Sequence, residues 1–86
     1  MTRQEIERRI IEIAAERGGV KPQQITPATH FVNDLNYDSL ELVEFTMELE
    51  DEFELSVPDD QADKLMTVGA VVDFVTARVD VAAPSA

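Results

Sequence analysis

Residues 34–45 read DLNYDSLELVEF, and this stretch decides how the chain is read. Asp38 and Ser39 stand immediately before an apolar run of Leu40, Leu42, Val43 and Phe45, with glutamates at 41 and 44. Asp and Ser are both strong helix N-caps, because a side-chain oxygen satisfies an N–H that the first turn leaves without a partner. Glu41 occupies the capping-box position relative to Asp38. The stretch therefore predicts a helix that starts at Asp38 or Ser39 and runs to about Phe53. On this reading Ser39 is first of all a helix cap.

At 100° per residue the helix carries two apolar arcs. Leu42, Phe45, Thr46, Leu49 and Phe53 share one, the expected core stripe. Leu40, Val43 and Met47 share the other, bordered by Glu44 and Asp51, with Glu41 and Glu48 further round. One reading is a wide core arc, with Val and Met filling gaps. The other is a shallow contact strip framed by carboxylates, suited to a basic partner with an apolar groove. Charge on an exposed helix face is usually only solvation. Here like charges crowd at helical spacing, which weakens a helix, and no lysine or arginine lies between Lys21 and Lys64. That imbalance favours recognition.

Before this helix, Thr2-Arg3-Gln4-Glu5 fits a capping box. Ile6, Ile10, Ile13 and Arg17 follow at helical spacing, with Ile11 and Ala14 widening the stripe. Gly18-Gly19 ends a helix predicted from Thr2 to Arg17. Residues 18–37 read as a long loop punctuated by Pro22 and Pro27 and pinned by Ile25, Phe31, Val32 and Leu35. After Phe53, Leu55 to Pro58 is expected to be extended. Asp59 is expected to cap a short helix through about Leu65. Thr67 caps the last helix, with Val68, Val72, Val75 and Val79 on one face and Gly69 costing it about 1 kcal/mol against Ala. The expected fold is all-α: a small four-helix bundle of three longer helices and one short one. A single domain is expected over 1–81, with a flexible tail at 82–86.

The totals narrow the function. A chain of 86 residues, 44% of them apolar, is enough for one core. It has no cysteine, so disulfides and zinc–thiolate sites are excluded and any thioester chemistry needs a sulfur from outside the chain. A net charge of −11 repels phosphate backbones, which argues against nucleic acid and for basic protein partners. No apolar run has the length of a membrane span, and the N-terminus lacks the order of a signal peptide. A cytoplasmic monomer is the expectation.

Catalysis by the chain itself has little support, and it is read as not an enzyme. A serine nucleophile needs a base, and the only histidine, His30, lies nine residues earlier in the loop, where it is expected to hydrogen-bond. Gly-x-Ser-x-Gly, P-loop, His-Glu-x-x-His and the calcium-loop pattern are all missing, so no metal site is expected. Ser39 could instead be a substrate. A phosphate esterified to it would face free N–H groups and the positive end of the helix dipole.

Across residues 5 to 80 the chain resembles the acyl carrier proteins. Asp34-Leu35-Asn36-Tyr37-Asp38-Ser39-Leu40 is similar to that family's Asp-Leu-Gly-x-Asp-Ser-Leu attachment motif. Gly19-Val20-Lys21, Glu50-Asp51-Glu52-Phe53, Val57-Pro58-Asp59 and Thr67-Val68 add to the likeness. The resemblance implies that Ser39, flanked by Asp38 and Leu40, receives 4′-phosphopantetheine from coenzyme A through a phosphopantetheinyl transferase (holo-acyl-carrier-protein synthase). The arm's thiol would carry acyl chains to fatty acid synthesis enzymes such as ketosynthases and acyltransferases. Leu40, Glu41, Val43, Glu44, Met47, Glu48 and Asp51 would form the docking face. Phe31, Phe45, Thr46, Leu49, Ala62, Leu65 and Val68 would border an acyl pocket, with plain core packing as the alternative.

Four departures bear on the pathway. Asn36 replaces a glycine, although Asn tolerates the left-handed backbone that glycine supplies. Tyr37 is large and is expected beside the attachment site, shielding the arm or selecting partners. Leu42 stands where a small or β-branched residue is common, and Thr46 brings a hydroxyl to the core arc. Tyr37 and Thr46 keep open a specialised carrier for polyketide or secondary lipid synthesis. A non-carrier acidic adaptor, with Ser39 as a mere cap, is the alternative of another class.

Overall fold

The computed structural model describes residues 2–79; the expected tail at 82–86 lies outside them. Four helices follow in order: α1 (Arg3–Gly18), α2 (Ser39–Phe53), α3 (Asp59–Ala62) and α4 (Val68–Arg78), with a 3-10 turn at Pro22–Gln24. No strand occurs among the described residues, apart from a single bridge between His30 and Thr67.

Each long helix starts where a side-chain oxygen meets a free N–H. Thr2 caps α1 through a reciprocal box: Glu5 N donates to Thr2 Oγ1 at 3.2 Å, and Thr2 N donates to the Glu5 carboxylate at 2.7 Å. These bonds favour the charged form and hold the Glu5 carboxyl below its ordinary range. α1 ends at Gly19, whose φ of 68° is the left-handed cap that glycine adopts without strain. Thr67 caps α4 by accepting from Ala70 N at 3.2 Å.

α2 corrects the expectation for Ser39. The cap is Asp38, whose Oδ1 accepts from Glu41 N at 2.8 Å; Ser39 is the first residue inside the helix. The Glu41 carboxylate does not turn back to close a box, because Arg17 of α1 holds it.

α3 also differs from expectation. Asp59 is its first residue, not its cap, and the helix stops at Ala62 instead of Leu65. Pro58 begins it with its carbonyl alone, which accepts from Gln61 N and Ala62 N at 2.9 and 3.0 Å. Asp59 and Asp60 then sit in the first turn, where the helix dipole favours negative charge. Turn bonds from Lys64 N to Gln61 O and from Leu65 N to Ala62 O carry the chain onward.

The core is built where the three long helices meet. Ile6, Ile10 and Ile13 from α1 join Phe45, Leu49 and Phe53 from α2 and Val68, Val72 and Val75 from α4. Segment 18–37 is far from structureless, and it delivers Ile25, Phe31 and Tyr37 to the same core. Val32, expected as a fourth anchor of that segment, is exposed instead. Gly69 has a packing reason that outweighs its helix propensity. Its N–H donates to Pro27 O at 2.8 Å, and a Cβ there would stand 3.0 Å from that oxygen. Without a side chain at Gly69, the loop can lie directly against α4.

Candidate functional site

Ser39 is positioned by a strap that runs from the start of α4 back to the start of α2. Val68 N donates to Thr29 O at 3.0 Å and Phe31 N donates to Met66 O at 2.9 Å, which fixes the strap to the α4 end. Asp34 Oδ2 accepts from His30 N at 2.7 Å, and His30 Nδ1 accepts from Val32 N and Asn33 N at 3.2 and 3.0 Å. His30 is thus the loop hydrogen-bonding residue expected of it. Asn36 then turns the chain with φ 59°, the left-handed conformation anticipated from its place in the motif.

Tyr37 departs most from the sequence reading. It neither shields the serine nor faces partners: it is 4% exposed, and its hydroxyl donates to Ala14 O at 2.8 Å. Its ring lies 5.5 Å from that of Phe31 and 6.0 Å from that of Phe45, centroid to centroid. Burial is the main cause that raises its phenol above the ordinary value near 10. Gly18 packs beside it: a Cβ there would meet the tyrosine ring at 3.5 Å, an ordinary van der Waals contact. The residue two before Ser39 is therefore a bolt into the core.

Ser39 itself is exposed. Its hydroxyl makes no hydrogen bond among the described residues, because Asp38 already performs the capping. The N–H groups of Ser39 and Leu40 likewise have no partner among these residues. An oxyanion attached at Ser39 Oγ would meet two free donors and the positive end of a helix of 15 residues. Asp38 holds the helix start in place, and Leu40 projects into solvent beside the serine.

The second arc of α2 is an exposed strip. Leu40 is 66% exposed, Val43 55% and Met47 58%. Around it the acids divide. Glu44 and Asp51 are exposed, while Glu41 and Glu48 are half-buried beneath the guanidinium of Arg17. Arg17 Nη1 lies 3.0 Å from Glu41 and 3.4 Å from Glu44, and its Nε lies 2.9 Å from Glu48. The hydrogen bond to Glu41 is the largest cause that raises the Arg17 guanidinium above its ordinary value. The crowding of carboxylates is thus offset from another helix, which the count of basic residues along α2 could not show. A signal was available: Arg17 continues the Ile6, Ile10, Ile13 stripe, so it had to point towards the other helices.

Beside Ser39 opens a cleft of about 380 Å³, within the range of small-molecule sites. Phe45, Thr46, Leu49, Ala62 and Leu65 line it, as expected of a pocket. Phe31 and Val68 do not; both are fully buried core residues outside the lining. Leu42, Val57, Met66 and Val71 line it without having been anticipated. Leu42 shares its helix face with Thr46 and could have been found from spacing, whereas Val57 and Met66 flank α3 and enter only through its placement. The Thr46 hydroxyl donates to Leu42 O at 2.8 Å, so its hydrogen-bonding need is met within the helix.

A family model described as "Phosphopantetheine attachment site" matches residues 8–75, a span that includes Ser39, the strap and the cleft. Among solved structures, an acyl carrier protein from Enterococcus faecalis, described for its high thermal stability, is similar at a TM-score of 0.79 and 38% identity. The match covers 90% of this chain and 98% of that one.

Proposed function

The chain belongs to the acyl carrier protein family, carrier domains to which 4′-phosphopantetheine is covalently attached, and from that premise we propose that Ser39 is its attachment residue. One observation carries the proposal: Ser39 Oγ is exposed, free of structural duty, and opens onto the cleft. The residues present fit the group. The unpartnered N–H groups of Ser39 and Leu40 would hold its phosphate at the helix tip. When bound, the arm supplies the thiol that this cysteine-free chain lacks. Leu42, Phe45, Leu49 and Val71 would keep water from an apolar chain lying in the cleft.

Leu40, Val43 and Met47 would form the contact strip on which the loading transferase and later acyl-processing enzymes dock. Glu44 and Asp51 would attract their basic patches, with Glu41 and Glu48 further round the helix, next to Glu44 on the side where Arg17 lies. The cargo we propose is the acyl chain of fatty acid synthesis. A specialised polyketide or lipid carrier was suggested by Tyr37 and Thr46, but both side chains have internal hydrogen-bonding roles and lend it no support. No helix among the described residues is long and apolar enough to cross a membrane, and we propose a monomer working in the cytoplasm.

Incubation with a phosphopantetheinyl transferase and coenzyme A, followed by intact-mass measurement, tests the proposal. One arm is expected on wild type and none on Ser39→Ala. A wild-type mass that does not shift under an active transferase would promote the adaptor reading instead.

A further inference from the structure

We propose that Arg17 is a built-in competitor for the carboxylates of α2, and that it sets how strongly this face attracts basic partners. The inference rests on the docking role proposed above. Arg17 sits in the last turn of α1 and reaches across to three glutamates that follow one another up α2 at i, i+3 and i+7. Its guanidinium contacts Glu41 and Glu48 at hydrogen-bond distance and Glu44 more loosely. An arginine or lysine of a docking enzyme would seek these same oxygens.

Two physical features make this a competition instead of a fixed part of the core. The Arg17 side chain is 26% exposed and its acidic partners are between 32% and 48% exposed, so solvent and incoming cations reach the pairs. Half-solvated ion pairs of this kind are weak and exchangeable. Yet Arg17 is anchored on a neighbouring helix, so its effective concentration at the three carboxylates stays high whatever is in solution. A partner that reads only Asp51 and the loosely held Glu44 meets less opposition. One that needs Glu41 and Glu48 has to displace the guanidinium first. Arg17 therefore lowers the negative field that steers encounter and discriminates among partners by which acids they require.

The effect has to be separated from a simple change in net charge, and Arg3 provides the control. Arg3 pairs with Asp73 of α4, and it contacts none of the three glutamates. Arg17→Gln and Arg3→Gln remove the same charge from different places. With transferase and coenzyme A at low ionic strength, Arg17→Gln is expected to raise kcat/KM for loading about threefold or more, and Arg3→Gln to stay within about twofold of wild type. The gain should shrink at high salt. Arg17→Lys keeps the charge but cannot fork across several carboxylates, and it should load about twofold faster than wild type; it stands in should Arg17→Gln not fold. Folded variants that load no faster than wild type, or a gain equally large in Arg3→Gln, would overturn the role of Arg17 and leave the carrier reading intact. A wild type that never loads would remove both.

Discussion

The inner and outer faces of α2 carry similar side chains under opposite conditions. Phe45 and Leu49 are each 2% exposed, whereas Leu40, Val43 and Met47 are all more than half exposed on the same helix. Burial of a large apolar side chain is worth about 1.5–3 kcal/mol, so the outer strip forgoes a contribution that the inner one makes. The two faces also handle charge differently. The inner face has none, while the outer one is framed by acids, part of them held by Arg17. One face is accounted for by folding, and the other, of which Val43 and Met47 also border the cleft, is the face proposed to meet partners.

The comparison can be broken most forcefully at Phe45. Its ring packs 4.8 Å from Phe31, centroid to centroid, and Phe45→Ala should cost about 3–5 kcal/mol in denaturant unfolding. Much of the stability of a small domain would go with it. A loss below about 1 kcal/mol would mean that the inner face is loosely packed.

Tyr37→Phe sharpens the contrast between the strap's bolt and its exposed end. Loss of the hydroxyl bond to Ala14 should cost about 1 kcal/mol. It should also alter the alkaline limb of stability. The folded phenol is raised above its ordinary value by burial, so its contribution is fully present below pH about 10 and is lost as pH climbs beyond it. Thermal melts of wild type should therefore decline above that pH, with a component that Tyr37→Phe lacks. A Tyr37→Phe variant that matched wild type at every pH would return Tyr37 to the surface.

The smallest stability effect is expected on the outer strip. Val43→Ala and Met47→Ala should each change unfolding free energy by less than about 0.5 kcal/mol, while slowing loading by the transferase. Loss of more than about 1 kcal/mol at either position would merge the two faces into one wide core arc.

Local chemistry made much of this legible in the sequence. Thr2 with Glu5, Asp38 and Thr67 announce helix starts through atoms only a few residues apart, and the period of α2 separated its two arcs. Ser39 was singled out as the proposed attachment residue by likeness to the family's motif, while local chemistry alone read it as the cap that Asp38 turned out to be. What escaped depends on distant partners. The strap is held by bonds such as Phe31 N to Met66 O and Gly69 N to Pro27 O, which no local pattern reveals. Tyr37 was misplaced because its site lies between Gly18, Ala14 and the rings of Phe31 and Phe45. The cleft was half anticipated: residues on α2 follow from helical spacing, while Val57 and Met66 follow from how α3 is laid down. Arg17 was visible as a break in an apolar stripe, and its meaning required the neighbouring helix.

The division of labour between Asp38 and Ser39 has a consequence for traffic through the molecule. Since the aspartate alone seals the opening turn of α2, the neighbouring oxygen is a hook that the architecture never leans on. If Ser39 is the attachment residue, as proposed, a group esterified there could be added or removed without breaking any hydrogen bond among the described residues. Empty and laden forms would then share one chassis, and a visiting enzyme would have to tell them apart by the load itself.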